Sequence, residues 1–190
     1  MPVTINGDGS ISGLAAGGIS DAGAIASGAL TSLALPAGSV IQVKSAVKTD
    51  TSEQSSDTFS NIPSLIVSIT PTAATSKFYV ICNVTGSSNN QLRLRLAQDG
   101  NAIGTGVASG NRDGIGAIIQ KSNSSAYGFQ AATMQILTGA IGDTSAHTFS
   151  AQYANETGGG ASYIGRNIND LNNDSGFRAS CHITVMEIAA

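Results

Sequence analysis

QLRLRLAQDGN, residues 91–101, is the stretch whose reading decides the fold. Leu92, Leu94 and Leu96 alternate with Arg93 and Arg95, and side chains two positions apart share a face only on a strand. The leucines therefore point to a core and the arginines away from it. Asp99-Gly100 then supplies the backbone freedom of a tight hairpin turn, which sends the chain back through residues 101–108.

The same pattern recurs on both sides of this hairpin. Residues 40–48 set Ile41, Val43, Ser45 and Val47 on one side and Gln42, Lys44, Ala46 and Lys48 on the other, which predicts a half-buried strand. Residues 49–62 are polar and read as a long exposed loop. Residues 65–69 form a short apolar strand closed by Thr70-Pro71, and Phe78, Val80, Cys82 and Val84 share a face across 77–85, ahead of a turn at 86–90. After a loop at 110–114, further strands are expected at 115–120, 131–137 and 146–154. In the last of these, His147, Phe149, Ala151 and Tyr153 share one face. A strand near 162–166 and a polar loop at 167–176 lead to the final strand, 179–188.

Nine or ten short strands with turn-rich connections, and no amphipathic helix of ordinary length, predict an all-β protein. An antiparallel β-sandwich of jelly-roll type is the expected architecture.

Ahead of this domain the composition changes. The first 43 residues hold no Lys or Arg and only two acids, Asp8 and Asp21, among many Gly, Ala and Ser. Residues 4–11 read as strand, tight turn, strand. Ile5, Ile11, Leu14, Ile19, Ile25, Leu30 and Leu33 then recur at irregular spacing. Gly and Ala offer little apolar area against the backbone entropy lost on ordering. Residues 1–36 are therefore expected to be an extended segment that docks or oligomerises through those aliphatics, and 37–190 the sandwich domain. The segment lacks the positive start and unbroken apolar run of a signal peptide. No stretch approaches the ~20 apolar residues of a membrane helix, so no membrane insertion is expected.

Charged residues make up 11% of the 190 residues, the net charge is −3, there is no Trp, and aromatics are 5%. Nucleic acid is an unsuitable partner, because displacing its counterions needs a basic footprint. A neutral surface of Asn, Ser, Thr, Gln and Gly suits sugars and other neutral polymers. Cys82 and Cys181 lie inside strand patterns and read as buried thiols, with a strand-to-strand disulfide as the alternative. His182 should face away from its neighbour Cys181, which argues against a thiolate–imidazole pair. Both histidines read as surface or interface residues. Asp170, Asn172 and Asp174 alternate as in a calcium loop, but Ser175 stands where that loop needs Gly and Cys181 where it needs Glu. No catalytic set, metal site or cofactor is expected. Binding is assigned to the polar loops and their neighbours: Asn111, Arg112, Asp113, Tyr127, Asn155, Tyr163, Asn172 and Asp174.

The blocks SVIQV (39–43), LIVSITPTAATSKFYVICNVTG (65–86), LRLRLAQDGNAIG (92–104), AHTFSAQYANETGG (146–159) and SCHITVMEIA (180–189), with the opening PVTINGDGSISGL (2–14), resemble a family of phage tail-fibre-like virion proteins. The resemblance implies a homotrimeric virion appendage with an N-terminal segment attached to other virion proteins and a C-terminal β-rich knob. On that footing the expected role is attachment to a host surface polysaccharide. A head fibre or capsid decoration protein, a secreted carbohydrate-binding module and a polysaccharide hydrolase are the alternatives.

Overall fold

The computed structural model describes residues 4–5, 11–12, 35–120, 128–156, 158 and 160–190. The chain divides into two units, Met1–Leu35 and Pro36–Ala190. In the first, β1 (Thr4–Ile5) and β2 (Ile11–Ser12) pair antiparallel, with Ile5 opposite Ile11, as the two strands of the sequence reading predict, and the expected turn between them lies outside the described residues. Leu14, Ile19, Ile25, Leu30 and Leu33 lie outside the described residues.

The second unit contains β3 (Val40–Lys48), β4 (Ser52–Gln54), β5 (Ser60–Ile69), β6 (Lys77–Ser88), β7 (Leu92–Gln98), β8 (Asn101–Ile103), β9 (Ala117–Ile119), β10 (Gln130–Leu137), β11 (His147–Asn155), β12 (Ser162–Ile164) and β13 (Cys181–Ile188). Every pairing is antiparallel. One sheet runs β3-β13-β6-β12-β4, with β10 on the far side of β6. The other runs β5-β11-β7-β8, with β9 also on β7. From β4 to β7 successive strands alternate between the sheets, and the result is a β-sandwich.

Its interior is built by the period-two pattern. Leu92, Leu94 and Leu96 of β7 join Phe78, Val80, Cys82 and Val84 of β6 and Ile183 and Val185 of β13 in one buried cluster. Phe78 and Phe149 bridge the two sheets with ring centres 5.1 Å apart at a 56° tilt, a favourable edge-inclined arrangement.

Three expectations are corrected. Residues 49–62 are not one exposed loop, since β4 lies within them and β5 begins at Ser60. Ser150 stands opposite Ile66 and Gln152 opposite Asn61, so residues 62–65 bulge from the ladder. Pro63 and the positive φ of Ser64 sit in that bulge, and Ile62 and Leu65 drop wholly into the core. The turn expected at 86–90 is instead the end of β6, where Gly86–Ser88 pairs with β12. Glycine is required there, because a Cβ on residue 86 would stand 2.1 Å from the Tyr163 carbonyl oxygen. The strand expected over 101–108 stops at Ile103, where Gly104 takes a φ of 64°.

β3 carries the most consequential finding. Its polar side, not its aliphatic side, faces inward: Lys48 lies opposite Cys181, Ala46 opposite Ile183 and Gln42 opposite Glu187. Those side chains close one flank of the sandwich. Gln42 Nε2 donates to the Thr70 carbonyl (2.7 Å) and Lys44 Nζ to that of Ser68 (3.2 Å), both at the end of the other sheet's edge strand. Glu187, fully buried, accepts from Gln42 Nε2 (2.6 Å) and from the amide and hydroxyl of Thr72 (2.7 Å each). This polar seam covers carbonyls that an open sheet edge would present to other chains.

Candidate functional site

β7 continues into the site. Its outward Arg93 and Arg95 both lie over the Phe59 ring, with guanidinium carbons 5.6 and 3.9 Å from its centre. Arg95 Nε donates to Gln152 Oε1 (2.8 Å). Arg93 is the hub: one terminal nitrogen donates to the carbonyls of Asn155 (2.6 Å) and Asp57 (3.0 Å), and the other binds the Asp113 carboxylate. Strand pairing causes this convergence, because Leu92 lies opposite Asn155 and Arg93 opposite Ala154 and Ile118.

Asp113 belongs to the 104–116 loop, which folds back on itself. Gly106 N bonds to Ile115 O (3.2 Å), Gly116 N to Leu94 O (2.8 Å), and Ser109 and Arg112 exchange backbone bonds of 3.1 Å around Gly110. Positive φ at Gly110 (60°) allows so tight a reversal. Arg112 adds bonds from Nε to Ser109 O (3.2 Å) and from a terminal nitrogen to Ser109 Oγ (3.3 Å), which fix its guanidinium over the loop tip.

Between this loop and the end of β11 lies an open cleft of about 480 Å³, lined by Gln91, Arg93, Asn111, Arg112, Asp113, Ile115, Ile118 and Glu156. Two guanidinium groups and two carboxylates leave it without net formal charge. Its lining combines donors, acceptors and the aliphatic side chains of Ile115 and Ile118. Hydroxyl groups, which both donate and accept, match such a lining, and the aliphatic wall suits the C–H faces of a sugar ring.

Asn111, Arg112 and Asp113 are thus brought together as the loop reading expects. Of the other expected contact residues, Asn155, Tyr163, Asn172 and Asp174 do not line the cleft. Asn155 is wholly buried rather than loop-exposed: its amide donates to Gly160 O and its oxygen accepts from Ser162 Oγ (2.9 Å), so it ties β11 to β12. Tyr163 is half-buried within β12 with Arg166 stacked 3.7 Å over its ring. Asn172 and Asp174 are exposed in the 169–176 loop. Tyr127 lies outside the described residues. Sequence pattern does not single out Gln91, Arg93 or Glu156 as site residues. Arg93 carries a signal, being the outward arginine nearest the start of β7, but its loop partner is set only by the fold.

The histidines behave differently from each other. His182 is exposed on the face opposite Cys181, with Nε2 2.8 Å from Ser180 Oγ. His147 is not a surface residue. It is buried at the mouth of β11, with Nδ1 2.7 Å from Asp99 and Nε2 3.2 Å from Asp143. Hydrogen bonding to Asp99, opposed by burial and reinforced by both carboxylate charges, holds its pKa above the ordinary histidine value. Cys82 and Cys181 are free and buried, and burial, with Cys181 nearby, pushes the Cys82 thiol up to about 12. Asp170 is held below the ordinary carboxylate range by a two-pronged bond from Arg178 (3.1 and 2.8 Å). Among the described residues, no group of three or more His, Cys, Asp or Glu is placed to hold a metal ion.

Neither the family models nor the curated proteins compared with this chain give a match.

Proposed function

We propose that this protein is a non-enzymatic recognition protein of a virion. Its sandwich domain presents the 104–116 loop cleft to a surface polysaccharide of the host, and its N-terminal segment attaches it to other virion proteins. The carrying observation is the cleft itself. Asn111, Arg112 and Asp113, singled out by sequence as exposed contact residues, converge there with Arg93 and Glu156 in a lining of zero net charge that matches hydroxyl groups. The sandwich holds this loop through Arg93 and through the Gly116–Leu94 backbone bond, so the contact surface is largely preformed. The virion setting rests on the sequence resemblance. A single shallow sugar contact is weak, and many copies on one particle raise avidity by roughly 10²–10⁴.

The test is binding of the purified full chain to immobilised host-surface polysaccharides, with Arg112→Ala and Asn111→Ala alongside. Both side chains line the cleft from an exposed loop, so each variant should fold normally and lose binding. Retained binding in both would remove the cleft from the mechanism. Absence of binding to any surface polysaccharide of a host that particles adsorb to would end the reading.

A further inference from the structure

β3 turns Val40, Val43 and Val47 outward, each half exposed or slightly more. The inter-strand register shows what they join. On the outer face of the sheet, Val43, Met186, Tyr79 and Leu137 form one continuous row across β3, β13, β6 and β10. The next row is Ser45, Thr184, Ile81 and Gln135, and the third is Val47, His182, Asn83 and Thr133. Val43 and Leu137, at the two ends of the apolar row, are 55% and 54% exposed.

We propose that this face packs against the same face of a second copy, about a two-fold axis that runs parallel to the strands between β13 and β6. Three observations point to a copy of this chain as the occupant.

The first is charge. The twelve side chains of these rows hold no acid and no base except His182. The row beyond them, Val40, Ile188 and Lys77, adds one lysine at the end of the face, whose stem can lie along Ile188 of the other copy with its ammonium in water. No charged partner is therefore selected, and a second copy of this nearly uncharged face satisfies the surface. The second is polar satisfaction. Tyr79 Oη already donates to Gln135 Oε1 (2.9 Å), Asn83 Nδ2 to Thr133 Oγ1 (3.1 Å), and His182 is bonded to Ser180, so covering the face strands few polar groups. The third is geometry. The proposed axis keeps each row on itself and reverses its order. Val43 then meets Leu137, and Met186 meets Tyr79, a favourable sulfur–ring contact. In the lower rows Ser45 meets Gln135 and His182 meets Asn83. Sheets pack face to face at near-aligned angles in just this way.

Four strands and the three rows, extended by Val40, Ile188 and Lys77 at the apolar end, make a footprint of roughly 500 Å² per copy at ordinary strand spacings. A pair therefore covers roughly 1,000 Å², the lower bound of a specific interface. This inference is independent of the cleft, and it argues for pairs where the sequence resemblance implies three copies.

The experiment is sedimentation equilibrium of the full chain, wild type against Val43→Lys, Leu137→Glu and an equimolar mixture of the two. Both positions are exposed, so the fold is retained, and circular dichroism checks this. The wild type should form an even-numbered assembly. Each variant should associate at least about tenfold more weakly, because a lone charge is set against an aliphatic partner. The mixture should recover association, since the lysine introduced on β3 of one copy then faces the glutamate introduced on β10 of the other. A monomeric or three-copy wild type, variants that associate as well as the wild type, or a mixture no better than its components would each overturn the proposal.

Discussion

Replacing Glu187 with Gln tests whether the inverted face of β3 is a stabilising feature of the fold. The carboxylate is fully buried and accepts three short bonds: 2.6 Å from Gln42 Nε2 and 2.7 Å each from the Thr72 amide and hydroxyl. The substituted amide would keep the volume but present one oxygen and one NH2. With its oxygen toward Thr72, its NH2 opposes the Gln42 NH2, donor against donor. Gln42 can turn over only by giving up its bond to Thr70 O. At least one bond is lost and the others fall from the ionic class (about 1.5–3 kcal/mol) to the neutral class (about 0.5–1.5 kcal/mol). Relief of the buried charge offsets part of this, leaving a net loss of about 2 kcal/mol. For a unit of this size that lowers Tm by about 4–8 °C. Burial pushes the Glu187 pKa up, and hydrogen bonding from Gln42 and Thr72 outweighs it, so the group sits below its ordinary value. A depressed carboxylate stabilises the fold above its unfolded pKa and loses that contribution as pH falls through the folded value. Urea denaturation of both proteins from neutral pH into the acid range should therefore show a constant difference down to the ordinary glutamate value of about 4.3 and a shrinking one below it. A Gln variant within about 0.5 kcal/mol of the wild type at neutral pH would show that the seam contributes nothing net.

Two further outcomes follow from the geometry. Gly86→Ala should cost about 3 kcal/mol or abolish folding, because the new methyl collides with the Tyr163 carbonyl oxygen rather than with a side chain able to move; thermal melting measures it, and a wild-type melt would contradict the register of β6 and β12. His147 has a raised pKa while Asp99 and Asp143 are lowered, so its clasp is complete between the carboxylate and histidine titrations. It should weaken as pH rises through the raised histidine value, and again as pH falls through the lowered carboxylate values. His147→Gln should remove the alkaline part of that dependence of Tm, and an unchanged profile would mean the histidine does not couple to folding.

How far the chain can be read in advance depends on what period-two alternation carries. At Leu92–Gln98 it fixes both the strand and its inward side, because leucine and arginine differ so strongly in transfer free energy. At Val40–Lys48 it fixes the strand but not which side is inside. Gln42 and Lys44 are long enough to reach carbonyls of the other sheet and Lys48 lies buried with its ammonium on Asp50, while the valines opposite stay exposed. The bulge at residues 62–65 is hidden because Pro63 and Ser64 are turn formers, and only the pairing of β5 with β11 shows that they carry Ile62 and Leu65 into the core. The cleft is half legible. Loop composition points to Asn111, Arg112 and Asp113, but Arg93 and Glu156 arrive through strand pairing between segments far apart in the chain.

The two outer faces of the sandwich are treated oppositely, and that contrast bears on both proposals. Outside β7 and β11 the chain covers its own surface: Arg95 lies on Phe59, and Ser150, Asn61 and Gln152 are linked by bonds of 3.0 Å, so Ser150, Gln152, Ala97 and Ala154 are buried without any partner. Nothing among the described residues of the Pro36–Ala190 unit plays that part over Val43 and Leu137, although the same chemistry was available. If the bare face is the one that pairs, the clefts, which lie on the self-covered side at Arg93 and Ile118, point away from each other across four stacked sheets, roughly 30 Å of protein. Such a pair cannot set both clefts on one flat surface. It can bridge two strands of a loose polymer. The dimer and the polysaccharide reading therefore favour the same kind of ligand, a flexible chain rather than a rigid layer, and a soluble polysaccharide should be cross-linked by the wild type and merely bound by Val43→Lys.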